Sequence, residues 1–120
     1  MAKFADDSMI DGALDVLATA TRMTVATAQP ANFAGIAAVS LADETLTGAD
    51  FTKANGDVSG RKVTVAQQAD LTINSTGDAD HILFDDGVTL LYGTTATLQT
   101  LTSGGTVTVP EIDVEIEDPA

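Results

Sequence analysis

The sequence predicts a mainly β fold with a minor α part: an antiparallel β-sandwich or barrel-like meander with one N-terminal helix packed on it. Three observations predict it. Between residues 61 and 116 apolar residues recur at every second position in several short runs, the period of a half-buried strand. Turn-forming clusters of Gly, Asn, Asp and Ser separate the runs. Only near the N-terminus does the spacing change to that of an amphipathic helix.

Residues 1–21 are expected to hold an arm and that helix. Asp7 or Ser8 is placed to cap it, and Asp6, Asp7 and Asp11 suit the positive end of the helix dipole. Met9, Ile10, Ala13, Leu14 and Leu17 then form an apolar stripe for packing on the sheet. Gly12 weakens the helix by ~1 kcal/mol relative to Ala. The β domain is expected over residues 22–117. Residues 22–28 read as its first strand, stopped at Pro30, which lacks the N–H that a ladder needs. Residues 33–41 are Ala-rich and irregular, a loop with a short strand near its end. Residues 43–50 read as a polar connection, and residues 51–60 as two Gly-bearing turns, with Asn55-Gly56 the sharper signal.

A long strand follows, with Val63, Val65, Ala69, Leu71 and Ile73 on one face. Residues 79–84 return from it, Asp85-Asp86-Gly87 close a hairpin, and residues 88–92 and 94–101 are expected as two further strands. Thr102-Ser103-Gly104-Gly105 turn the chain into strands at 106–109 and 111–117. Residues 118–120 form a tail. The whole is one domain, 1–120.

Composition narrows function by exclusion. With 18 acidic and 5 basic residues the net charge is −13, a field that opposes any grip on nucleic acid. No run of 18 apolar residues occurs, so no membrane span is expected. There is no cysteine, hence no disulfide, thiolate nucleophile or Cys-based zinc site. Four Phe, one Tyr and no Trp leave a thin aliphatic core, which suits a protein stabilised partly by neighbouring subunits.

His81 is the single histidine, with no Ser at nucleophile spacing, and reads as a strand residue beside Asp80. Asp78, Asp80, Asp85 and Asp86 cluster in sequence without the twelve-residue spacing of a calcium loop, and Asp is common in turns for backbone reasons. Glu111, Asp113, Glu115 and Glu117 share one face of the last strand and read as a solvated outer face. No catalytic residue, metal ligand or cofactor is expected. Of the five cations, Lys53, Arg61 and Lys62 lie within ten residues of one another, the best place to meet an acidic surface.

Two passages resemble the head decoration, or cement, proteins that tailed bacteriophages encode beside their major head proteins. One is Ala2-Lys3-Phe4-Ala5-Asp6-Asp7-Ser8-Met9-Ile10-Asp11. The other begins with Asp50-Phe51-Thr52-Lys53-Ala54-Asn55-Gly56-Asp57 and Ser59-Gly60-Arg61-Lys62-Val63-Thr64-Val65-Ala66-Gln67-Gln68, and continues near the C-terminus as Val107-Thr108-Val109-Pro110-Glu111-Ile112-Asp113-Val114-Glu115-Ile116-Glu117-Asp118-Pro119. The resemblance implies a non-catalytic virion protein, made in the host bacterial cytoplasm, that binds the major capsid protein on the outer surface of the head. It further implies a homo-oligomer, with a trimer preferred. On this reading the partner-binding residues are Lys3, Phe4, Phe51, Lys53, Arg61 and Lys62. A place in the tail or head–tail connector is the alternative, and a carbohydrate-binding module is the alternative from another class, disfavoured by the scarcity of aromatic platforms.

Overall fold

The computed structural model describes residues 4–118. Helix α1 (Asp7–Leu17) is followed by β1 (Arg22–Ala26), a 3-10 turn (Phe33–Gly35), the one-turn helix α2 (Ile36–Val39) and β2 (Ser40–Thr45). Then come β3 (Phe51–Asn55), β4 (Arg61–Val65), β5 (Gln68–Thr72), β6 (Gly77–Asp85), β7 (Leu90–Leu101), β8 (Thr106–Val109) and β9 (Ile112–Ile116). The fold is mainly β, with antiparallel sheets in a sandwich-like arrangement and the N-terminal helix packed on them, as the alternation predicts.

One layer is a four-stranded sheet in the order β2-β1-β6-β7. The other is a long bent ribbon. Arg61 to Val65 pair with Ile116 to Ile112, and the same two chain segments pair again from Gln68↔Val109 to Thr72↔Thr106. Pro110 has no N–H to continue the ladder, so the ribbon breaks there into two pieces. Strand β3 extends the first piece along β4. The layers are joined at one side by the bridge Ala42↔Ile73, where the Asn74 and Ser75 N–H groups both donate to the Leu41 carbonyl.

The core lies between the layers. Met23, Val25, Leu41, Val63, Val65, Leu71, Phe84 and Val109 fill it, and α1 closes it with Ile10, Leu14 and Leu17. A smaller cluster of Ala26, Ile36 and Leu83 covers the opposite face of the sheet, under α2. Strand β1 is therefore buried on both faces. The molecule is elongated, 54 × 25 × 24 Å, with a radius of gyration of 15.3 Å. A compact chain of this length has about 14 Å.

Several expectations are corrected. The α1 cap is Asp6, whose carboxylate accepts from the Ser8 N–H at 2.9 Å, one residue earlier than expected. The buried helix stripe omits Met9 and Ala13, which are exposed. Residues 43–45 continue β2 instead of forming a connection, because Ala42, Asp43, Glu44 and Thr45 pair in unbroken register with Val25, Thr24, Met23 and Arg22, with Ala42 buried and Asp43 and Thr45 exposed. Residues 51–55 are strand, and the positive φ of that hairpin falls on Gly60 (67°), not at Asn55-Gly56. A bulge with Asp70 at φ 58° takes Ala69 out of the alternation. The two strands expected at 88–92 and 94–101 are one, β7, because Gly93 stays in register opposite Leu83.

Candidate interaction surface

The cations of the expected basic surface are each paired with carboxylates of the same chain. Asp11 and Asp15 stand one helical turn apart on α1 and reach down to the β3–β4 hairpin. Asp11 Oδ1 lies 2.9 Å from Arg61 Nε, and Asp15 Oδ1 2.6 Å from Lys53 Nζ. Lys62 Nζ sits between Asp57 (2.9 Å) and Asp113 (3.2 Å). Each neighbouring carboxylate raises the affinity of its cation for the proton. Lys53 is pushed up chiefly by its hydrogen bond to Asp15, and Lys62 by its bonds to Asp57 and Asp113. In a chain with so many acids, each of these cations finds a carboxylate within its own fold. Phe51 is half-buried against the core. Lys3 lies outside the described residues.

The last strand is likewise less free than its spacing suggests. Asp113 accepts from Thr64 Oγ1 at 2.7 Å as well as from Lys62, and these two bonds hold its carboxyl below the usual range. Glu115 accepts the Asp57 N–H. Glu111 and Glu117 remain exposed.

The aspartates of the β6 hairpin are spread along a nine-residue strand and do different work. Asp78 accepts from Thr100 Oγ1, Asp80 lies 2.6 Å from His81 Nδ1, and Asp85 is buried against Arg22. Asp86 accepts from the Val88 and Thr89 N–H groups, which lower its pKa and tie the turn. Among the described residues no three metal-ligating side chains gather at one point.

What α1 leaves uncovered is apolar. Its core face carries Ile10, Leu14 and Leu17, its second face the two clamping aspartates, and its third face Met9, Ala13 and Val16 at helical spacing. Met9 is 69% and Val16 55% exposed, and Phe4 on the preceding arm is 83% exposed. Ala13 and Val16 border a groove whose far wall is Leu91, Tyr92, Val114 and Ile116. The residue periodicity contained this stripe, but it showed Met9 and Ala13 only as part of one wide apolar face. The aspartates at positions 11 and 15, with the two cations they meet, mark the side of the helix that turns toward the β3–β4 hairpin. Among the described residues no helix is long and apolar enough to cross a membrane.

No family model matches the sequence, and no curated protein or solved structure is significantly similar to it.

Proposed function

We propose that this protein is a structural component of a tailed-phage virion: a decoration protein that binds the outer surface of the head, with the major capsid protein as its partner. The observation that supports this reading most is the exposure of large apolar side chains on neighbouring elements, Phe4 on the N-terminal arm and Met9 and Val16 on α1, of an elongated β-rich molecule. Covering three such side chains releases roughly 1.5–3 kcal/mol each. That is modest for one contact, and it becomes firm when many copies, or the subunits of one oligomer, engage neighbouring capsomers together. The mechanism is adhesion across shell subunits, so that no subunit leaves without breaking several contacts at once.

The clamps revise which residues of the resemblance make contact. Phe4 belongs to the binding face. Lys53, Arg61 and Lys62 act inside the chain by tying α1 to β3 and β4 and β9 to β4, so that the apolar stripe is presented in one orientation. The remaining surface is acidic and faces solvent, where net charge keeps decorated particles apart.

The test is binding of the purified protein to shells assembled from a tailed-phage major head protein, the proposed partner. Hundreds of copies per shell support the head reading. Binding only at the portal vertex, in the numbers of a single ring, moves the protein to the connector or tail.

A further inference from the structure

Following hydrogen-bonded neighbours around the molecule gives the order β7-β6-β1-β2-β5-β8, with the Ala42↔Ile73 bridge linking the layers. Every pair in that order is antiparallel, so β7 and β8 face each other with opposite directions. They do not pair. Between them lies an open groove of about 530 Å³. Its floor is apolar, with Val25, Ala79, Ile82, Leu101, Val107 and Val109, and its walls are Thr94, Thr95 and Thr97 of β7 and Thr108 of β8. Strand β7 carries two additional residues here, since Ala79 opposes Gln99 and His81 opposes Thr95, and this bulge interrupts the edge. The sandwich is thus stitched on its β2 side and unstitched on its β7 side.

We propose that this seam accepts one extended segment of another chain, which adds a strand between β7 and β8. Backbone groups along both edges supply the ladder, and the apolar floor takes alternate side chains of the incoming strand. Charge selects the occupant. Among the described lining residues there is no Lys or Arg, Glu111 stands at one end, and Asp80 touches His81 on the wall. The whole chain carries −13, so an acidic segment is disfavoured in the seam, whereas a segment alternating apolar and basic residues is attracted. The inserted strand is antiparallel to one wall and parallel to the other. This inference stands apart from the shell reading: a head protein could supply the segment, but the seam's chemistry does not depend on it.

The test uses the full chain and three blocked decapeptides: alternating Val and Lys, alternating Val and Glu, and the Val–Lys peptide N-methylated at every second backbone nitrogen. The expected result is that the Val–Lys peptide binds and slows hydrogen exchange at residues 94–99 and 106–109. N-methylation keeps the charge and removes ladder donors, and should weaken binding about tenfold or more. Thr95→Lys with Thr97→Lys, both at exposed positions, should weaken it comparably while leaving the fold intact. The proposal is overturned if the N-methylated or Val–Glu peptide binds as well, if protection appears elsewhere on the acidic surface, or if the protein alone dimerises through the seam.

Discussion

Arg22 Nε lies 2.9 Å from Asp85 Oδ2, a pair formed by directly opposed residues of β1 and β6. Asp85 is fully buried, whereas the Arg22 side chain keeps about a third of its surface in water. The other carboxylate oxygen, Oδ1, accepts the Gly87 N–H at 3.0 Å, so one side chain both anchors a strand end and shapes the next turn. The Arg22 guanidinium also stands over the Phe33 ring, 5.8 Å from its centre.

The two partners should therefore respond unequally to removal. Arg22→Ala leaves a buried carboxylate without its cation and should cost about 2–4 kcal/mol. Asp85→Asn keeps an acceptor for Gly87 and frees an arginine that already reaches water, and should cost less. Urea unfolding of both variants checks the order.

Thr24, also on β1, makes the opposite prediction. Its Oγ1 is buried without a hydrogen-bond partner among the described residues. Thr24→Val exchanges an unsatisfied hydroxyl for a methyl of the same shape and should be neutral or stabilising, by up to about 1 kcal/mol. Thermal unfolding at one fixed pH reads it directly.

Gly60 has a φ of 67°, and a Cβ there would fall on the Ile116 carbonyl oxygen. Gly60→Ala meets both backbone strain and a clash against β9, so it should cost roughly 2 kcal/mol or more. Gly87, also at positive φ, has open space around it, and Gly87→Ala should cost only the strain. Comparing the two unfolding midpoints separates clash from conformation.

The β4–β9 clamp predicts a two-sided pH profile. The Asp113 pKa is lowered in the fold, so its stabilisation is present above the unfolded value and is lost as pH falls through the folded one, below about pH 4. Lys62 is raised, so its contribution is full below the ordinary lysine value of about 10.5 and is lost as pH rises from there through the higher folded value. Asp113→Asn should flatten the acid limb measured by urea midpoints across pH, and Lys62→Met the alkaline limb.

The sequence showed the β-rich class, the helix near its observed span and most turns, because alternation and helical spacing follow directly from which side of an element is buried. It missed what depends on the partner strand. Residues 43–45 look like loop until Met23 and Thr24 are seen opposite Glu44 and Asp43. The continuity of β7 through Gly93 depends on pairing with Leu83, not on any preference of glycine. The interaction surface was half legible. Phe4 stands out in both readings, but the cations at 53 and 61 look free in a linear chain because their partners Asp15 and Asp11 lie tens of residues away, and Lys62 adds the distant Asp113 to its near neighbour Asp57.

Binding of Met9→Gln with Val16→Gln to shells of a tailed-phage major head protein, the proposed partner, followed by cosedimentation beside the unaltered chain, is the most direct measurement of the proposed adhesion through α1. Both side chains are exposed and glutamine favours helix, so stability should change by less than about 0.5 kcal/mol. The account predicts saturable binding of the unaltered chain in hundreds of copies per shell and loss of at least about tenfold in affinity for the double variant. Equal binding of the two proteins, or no binding of either, would contradict it.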